Sequence, residues 1–113
     1  MYRLDGHNIE LTRGDSLLLL ITLPGRELPQ GTLAVFTVKT HPRSETAILT
    51  KALPVENGRV ELELGAQETD LPARLYYWDL RLMIPGVETE ILTPMDYAAL
   101  TILEVIGDVG GFA

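Results

Sequence analysis

The sequence predicts an all-β fold, an immunoglobulin-like antiparallel β-sandwich of seven to eight strands. Three observations lead to this prediction. Apolar residues recur with a period of two, most clearly in Arg59-Val60-Glu61-Leu62-Glu63-Leu64. Turn-forming Gly, Pro and Asn residues separate the alternating stretches. The stretches themselves are short, as they are in two sheets packed face to face.

The elements follow this pattern along the chain. Asn57-Gly58 is a strong signal for a tight turn, and Pro85-Gly86 is expected to close a hairpin. Two segments, 66–70 and 97–104, also have residues compatible with a short helix, and that alternative stays open. We place strands at residues 8–11, 17–23, 33–40, 46–53, 59–64, 74–84, 87–93 and 97–106.

The alternation also predicts which side chains form the core, because successive side chains of a strand point to opposite faces. Asp70 to Tyr76 leads straight into the longest predicted strand, where many sandwiches place a tyrosine whose hydroxyl bonds to the upstream backbone. Either Tyr76 or Tyr77 fits that role, and the alternative of a core tyrosine without this contact stays open. The predicted core contains Ala34, Phe36, Val38, Val60, Leu62, Leu64, Tyr76, Trp78, Leu80, Leu82 and Ile84.

The length of 113 residues and the hydrophobic content of 46% fit a single domain with its own core. We assign residues 1–106 to one β-sandwich domain and 107–113 to a Gly-rich tail that is expected to fray. The first residues do not form the apolar stretch of a secretion signal, and the apolar run 17–21 is too short to cross a bilayer.

The charge and cysteine content exclude several function classes. The formal net charge is −7 and the nine basic residues are scattered, so neither nucleic acid nor an anionic membrane is an expected partner. The absence of cysteine excludes a disulfide framework, a thiolate metal site and a thiol nucleophile.

No pattern in the sequence indicates catalysis. Two carboxylate pairs lie at a spacing of two on strand faces that are expected to be wet, whereas acid–base chemistry needs a buried or convergent carboxylate. The histidines lack partners at metal-ligand spacing, and no serine has the context of a nucleophile. We therefore expect no enzyme activity, catalytic residue, metal or cofactor; the residues considered are Glu61, Glu63, Glu88, Glu90, His7, His41, Ser16 and Ser44.

The tripeptide Arg13-Gly14-Asp15 is a motif that integrins recognise in cell-adhesion proteins. It is short enough to occur by chance, and recognition would need an extracellular, displayed loop. Glycine also permits a sharp bend, and the Asp15 or Ser16 side chain is suited to cap it. We favour a turn that precedes the next strand.

One strand is apolar on both sides. If Leu17, Leu19 and Ile21 face the core, Leu18 and Leu20 face water unless another segment or subunit covers them. The C-terminal strand repeats this problem at Leu100, Ile102 and Ile106. We therefore predict an interface for self-association or for docking to another protein at Leu18, Leu20, Leu100 and Ile102.

Several short motifs occur in a recognisable order over roughly residues 10–106: Gly14-Asp15-Ser16, Phe36-Thr37-Val38-Lys39, Gly58-Arg59-Val60, Thr69-Asp70-Leu71 and Tyr76-Tyr77-Trp78-Asp79-Leu80. This arrangement resembles the small β-sandwich at the N-terminus of phage baseplate upper proteins and of related short prophage tail proteins of Gram-positive bacteria. That family tends to show a G-D-T start, an F-x-V-K strand, a G-x-V turn, a D-T-x-x-L segment and a Y-x-Y-D-I strand. This sequence departs from the pattern at Ser16 in place of the threonine, Trp78 in place of the second tyrosine and Leu80 in place of the isoleucine, and Thr69-Asp70 has the reverse order of D-T.

The resemblance implies assembly rather than catalysis. It implies a tail or baseplate component of a phage or prophage that docks to other virion proteins, is assembled in the bacterial cytoplasm and resides in the virion. An alternative from another class is an extracellular or cell-surface immunoglobulin-like module that binds a ligand such as a sugar. That alternative calls for a secretion signal and exposed aromatic residues.

Overall fold

The computed structural model describes residues 2–23, 27–86, 88, 90–93 and 96–104, and all regular structure within these ranges is β. The all-β prediction is therefore confirmed for the described residues. Their strands are β1 (Tyr2–Asp5), β2 (Asn8–Thr12), β3 (Leu17–Thr22), β4 (Leu33–Lys39), β5 (Leu49–Glu56), β6 (Arg59–Leu64), β7 (Arg74–Ile84), β8 (Glu90–Leu92) and β9 (Ala98–Leu103).

The strands form one continuous path in the order β1-β2-β9-β7-β4-β5-β6-β3, with β8 paired beside β7. β7 is central, because β4 pairs along one edge while β9 and β8 share the other edge. β5 joins two sheets: its first part pairs with β4, and Val55 and Glu56 pair with β6. The path almost closes on itself, since the Tyr2 hydroxyl of β1 donates to the Leu18 carbonyl of β3 at 3.3 Å. The result is a barrel-like sandwich.

One pairing departs from the predicted antiparallel arrangement. β2 runs parallel to β9, with Ile9 opposite Leu100 and Leu11 opposite Ile102. Parallel pairing needs a long connection between the two strands, and here almost the whole domain lies between them. The N-terminal and C-terminal parts of the domain are thus joined side by side in one sheet.

The core lies between the two sheets, and the predicted alternation is confirmed there. Phe36, Leu80 and Leu62 are fully buried, and the Phe36 and Trp78 rings pack with centroids 5.4 Å apart. The indole N–H of Trp78 donates to the His7 carbonyl at 3.1 Å, so its one polar atom is satisfied. All of the predicted core residues are buried: Ala34, Phe36, Val38, Val60, Leu62, Leu64, Tyr76, Trp78, Leu80, Leu82 and Ile84.

Among the described residues, the main differences from the predicted strands lie in β1 and β5. β1 was not predicted, because all of its side chains are exposed and no alternation marks it. β5 begins at Leu49 rather than at residue 46 and continues through Pro54 to Glu56. Segment 97–104 is mainly strand, and 66–70 is a hydrogen-bonded turn rather than a helix, in which the Gly65 carbonyl accepts from the amides of Glu68 and Thr69. The predicted tail, 107–113, lies outside the described residues.

The prediction of an exposed interface at Leu100 and Ile102 is wrong. Both side chains are only 2% exposed and belong to the core. The physical reason is the parallel pairing with β2, which orients Ala98, Leu100 and Ile102 inward together with Ile9 and Leu11. Ile106, which was grouped with them, lies outside the described residues.

Candidate docking and binding surfaces

The Arg13-Gly14-Asp15 segment forms the turn that was predicted after β2. The Asp15 amide donates to the Thr12 carbonyl at 3.0 Å, and Gly14 has a φ of 83°, which favours glycine. The Arg13 guanidinium donates to the Asp70 carboxylate at 2.7 Å, and this hydrogen bond raises the pKa of Arg13. Because the arginine holds the turn against the loop before β7, its role in the fold is structural.

The corner before β7 uses Tyr76 rather than Tyr77. The Tyr76 hydroxyl donates to the Pro72 carbonyl at 2.6 Å, and the ring is buried. Burial is also the main reason that the pKa of Tyr76 is raised. The Arg74 guanidinium lies over the ring, 5.6 Å from its centroid. The predicted tyrosine contact is thus confirmed, and it anchors the entry of the central strand.

A polar cluster connects β5, β6 and the turn at Gly65. The Glu68 carboxylate accepts from the Gly65 amide and from the Lys51 ammonium, each at 3.0 Å. The Gly65 hydrogen bond is the largest cause of the lowered pKa of Glu68, and Lys51 adds to it. Lys51 also donates to the Glu63 carbonyl. This cluster connects the first part of β5 to β6, where no backbone pairing joins the two strands.

The outward face of β3 carries two of the three most exposed large hydrophobic side chains in the described part of the chain. Leu18 is 55% exposed and Leu20 is 62% exposed, as predicted. β3 pairs with β6 along one edge, and no described strand pairs with its other edge. The Leu18 carbonyl points to that open edge, since it accepts from Tyr2 rather than from β6. Because a strand residue directs its N–H and C=O to the same side, the backbone of Leu20 faces the open edge too.

The surroundings of this leucine pair are acidic. Glu63 lies opposite Leu18 and Glu61 opposite Leu20 on β6, and both glutamates are exposed. Glu56 lies with Leu20 and Glu61 along one shallow groove at the end of the β5–β6 hairpin. Arg59 is the one basic residue lining that groove. We call the Leu18, Leu20, Glu61 and Glu63 face the β3 face.

A second apolar row crosses the outer surface of the larger sheet. Leu33 on β4 lies opposite Met83 on β7, and Met83 lies opposite Ile91 on β8. Leu33 also lies opposite Pro54 on β5, so four neighbouring strands present exposed apolar side chains side by side. Directly opposite residues are close enough to form one continuous surface.

A groove with exposed aromatic side chains lies elsewhere on the same sheet. The rings of Tyr77 and Tyr97 meet edge to face with centroids 5.7 Å apart and an angle of 85° between their planes. Tyr97 is 59% exposed. Lys39 lies opposite Tyr77, and Thr37 lies opposite Asp79 in the β4–β7 ladder. We call this the tyrosine groove; it is lined by Thr37, Lys39, Pro42, Tyr77, Trp78, Asp79 and Tyr97.

The sequence did not predict the tyrosine groove. Tyr77 was assigned correctly to the face opposite the core, but nothing in the local sequence places Tyr97 beside it. The contact depends on the pairing of β9 with β7, which puts Ala98 opposite Trp78. Only knowledge of that register would have identified the pair.

The titratable residues that were considered for chemistry do not converge in the described ranges. Glu61 and Glu63 are exposed on β6, and the His41 imidazole accepts from the Arg43 amide at 3.1 Å. Among the described residues, no three His, Cys, Asp or Glu side chains form a group that could hold a metal ion. The same residues contain no helix long and apolar enough to cross a membrane.

Comparison with protein families, with curated proteins and with solved structures finds no match to this chain.

Proposed function

We propose that this chain is a structural protein of a phage or prophage, a tail or baseplate component with an immunoglobulin-like sandwich that acts by docking to neighbouring virion proteins. The observation that carries the proposal is the β3 face, where Leu18 and Leu20 are exposed on a strand with an open edge. The order of the family-like motifs supports the assignment to a phage particle.

The open edge of β3 suits docking by strand addition. An extended segment of a partner can pair with the backbone groups of Leu18 and Leu20, while its side chains cover the two leucines. The Tyr2 hydroxyl, which bonds to the Leu18 carbonyl at 3.3 Å, would yield that acceptor to the incoming strand. Edge pairing supplies orientation, and apolar contact supplies affinity.

The charge around β3 favours a partner other than a second copy. Glu61 and Glu63 flank the leucines, and each chain has a formal net charge of −7. Two copies would repel each other, whereas a segment that alternates apolar and basic residues would complement the face. Docking to a different virion protein is therefore the first expectation, and self-association the second.

The contact energy available from the two leucines alone is modest. Complete burial of an exposed leucine contributes about 1.5–3 kcal/mol, and these two side chains are roughly half exposed. Together they contribute on the order of 3 kcal/mol, roughly a hundredfold in affinity. A particle that presents many such contacts gains further strength through avidity. The separate apolar row at Leu33, Met83 and Ile91 suits contact with another neighbour.

The test is incorporation into particles. Prophage induction in a strain that lacks the gene, with the chain supplied on a plasmid, is followed by particle purification and quantitative mass spectrometry. The wild-type chain should be present at stoichiometric level, and Leu18→Lys/Leu20→Lys should reduce it at least tenfold because charge cannot be buried in the contact.

The matched control is Thr50→Lys/Ala52→Lys, which adds the same charge at the same spacing on the outward side of β5. It should incorporate normally. Absence of the wild-type chain from intact particles would refute the structural role, and equal incorporation of both double variants would refute the β3 face as the docking surface.

A further inference from the structure

We propose that the tyrosine groove is a binding site for a neutral saccharide. The groove lies on β4, β7 and the residue before β9, and it shares no residue with the β3 face. The inference therefore goes beyond docking and does not depend on it.

The groove combines an aromatic wall with a polar floor. Tyr97 and Tyr77 form the wall, held at right angles by their edge-to-face contact. The cross-strand pair of Thr37 and Asp79 forms the floor, and Lys39 lies next to Tyr77. Within the described residues, the Thr37, Lys39 and Asp79 side chains have no hydrogen-bond or ion-pair partner in the protein, although all three are partly shielded from water.

This combination matches the chemistry of a sugar ring. A pyranose has one face rich in C–H groups, which packs on the face of an exposed aromatic ring. Its edge carries hydroxyl groups that both donate and accept. The Asp79 carboxylate accepts from hydroxyls, the Lys39 ammonium donates to them, and the Thr37 hydroxyl does either.

A charged ligand fits less well. A cation would be attracted by Asp79 and by the tyrosine faces but repelled by Lys39, which lies directly opposite Tyr77. An anion would meet the reverse situation. Since one carboxylate and one ammonium line the groove together, a neutral ligand with many hydroxyl groups leaves neither charge unpartnered.

A peptide also fits less well. The β7 backbone at Tyr77 already pairs with Lys39 on one side and with Ala99 on the other, so strand addition is unavailable. Proline-rich segments dock on aromatic grooves, but proline has no N–H group. Such a segment would leave the Asp79 carboxylate covered without a donor, which is unfavourable.

The test is a titration of the ¹⁵N-labelled chain followed by two-dimensional NMR. The probes are the methyl glycosides of glucose, galactose and mannose, N-acetylglucosamine and N-acetylgalactosamine, with glycerol as a polyol that lacks a stacking face and decaproline as the peptide competitor. We expect at least one saccharide to shift the amides of Thr37, Tyr77, Asp79 and Tyr97 in a saturable manner, with a Kd on the order of 1 mM, typical of weak small-ligand affinity.

Two variants examine the wall and the floor separately. Tyr97→Ala should weaken that saccharide at least tenfold, and Asp79→Asn should weaken it while preserving the shape of the groove. Tyr2→Ala removes an exposed tyrosine outside the groove and should leave binding unchanged. If Tyr97→Ala unfolds, Asp79→Asn and Thr37→Val decide the test.

Saturable shifts that are confined to the groove and lost in the groove variants would support the proposal. Three outcomes would overturn it: no saccharide-induced shift at about 50 mM saccharide, which is 50 times the expected Kd of about 1 mM; shifts with decaproline alone; or equal saccharide binding by the Tyr97, Asp79 and Tyr2 variants.

Discussion

β3 and β6 are neighbouring strands of equal length, paired residue for residue, yet their outward sides differ in chemistry. β6 alternates buried Val60, Leu62 and Leu64 with exposed glutamates. β3 turns Leu17, Leu19 and Ile21 inward in the same way, but places leucines outward, where they are more than half exposed. The inward positions of both strands serve the fold. The outward positions differ: the glutamates of β6 are favourably solvated, whereas the leucines of β3 are stabilised when another surface covers them.

The alternation along a strand and the residue type on its outward side therefore determine different properties. Period two fixes which side chains enter the core, whichever residues stand on the other side. The outward residue type then decides solubility or association, because exposed apolar area is unfavourable until another surface covers it. Variants that change inward and outward positions on one strand should therefore affect stability and association separately.

The largest separation is expected for leucines at the two kinds of position. Leu62→Ala on the inward side should lower the free energy of unfolding by about 2–5 kcal/mol, because it removes a fully buried side chain and leaves a cavity. Leu20→Ala on the outward side should change it by less than about 0.5 kcal/mol. Urea denaturation followed by fluorescence of Trp78, the single tryptophan, measures both.

Trp78 is well placed for this measurement, because it is 4% exposed in the folded chain and becomes exposed on unfolding. The slope of the transition should be the same for both variants, since neither changes the area exposed on unfolding by much. A loss of stability in Leu20→Ala as large as in Leu62→Ala would mean that the outer side of β3 contributes to the core of the isolated chain.

A smaller separation is expected for the adjacent tyrosines of β7. Tyr76→Phe removes the hydroxyl that donates to the Pro72 carbonyl and should cost about 1 kcal/mol, the net contribution of a typical hydrogen bond. Tyr77→Phe should cost little, because the Tyr77 hydroxyl bonds to no other described residue. Thermal unfolding of the two variants tests this difference. Equal effects would mean that the corner contact does not stabilise the entry of β7.

The inward side chains were predictable from sequence because a local pattern determines them. Val60, Leu62 and Leu64 alternate with glutamate, and the Asn57-Gly58 turn fixes where their strand begins. Asn57 and Gly58 have φ values of 52° and 69°, as a turn of this kind requires. Local spacing and turn chemistry were sufficient for these elements.

Features that depend on strand pairing were not predictable in the same way. β9 has apolar residues on both sides, so the sequence could not show that Leu100 and Ile102 face inward; the parallel contact with β2 decides it. β5 continues through Pro54 to Glu56, whereas the predicted strand ended at residue 53. Proline is tolerated there because Pro54 needs no donor toward β6, which pairs only from Val55 onward.

The same distinction between local pattern and strand pairing applies to the candidate sites. Leu18 and Leu20 were identified from sequence because one strand contains the whole signal. The tyrosine groove was missed, since it needs β4, β7 and the start of β9 to come together. A site formed by one strand can be predicted from the alternation of its side chains, whereas a site formed by several strands depends on the register of their pairing.

The smallest separation concerns two carboxylates near the end of β6. Glu68 accepts hydrogen bonds from the Gly65 amide and the Lys51 ammonium, whereas the Glu63 carboxylate has no partner among the described residues. The pKa of Glu68 is lowered in the folded chain, mainly by the Gly65 hydrogen bond. A lowered folded-state pKa means that the ionised carboxylate stabilises the fold above the unfolded value near 4.3, and that this contribution disappears as the pH falls through the folded-state pKa.

Glu68→Gln should therefore lower the free energy of unfolding at pH 7 by about 0.5–1 kcal/mol, at the level of a partly exposed charge contact. The difference from wild type should shrink as the pH falls below about 4, because the wild-type carboxylate then becomes neutral as well. Glu63→Gln changes the net charge equally but removes no side-chain hydrogen bond to a described residue, so it should leave the free energy of unfolding at pH 7 nearly unchanged. Urea denaturation of both variants at several pH values tests this prediction. If the loss of stability in Glu68→Gln were unchanged in acid, the contribution of Glu68 would come from the shape of its side chain rather than from its charge.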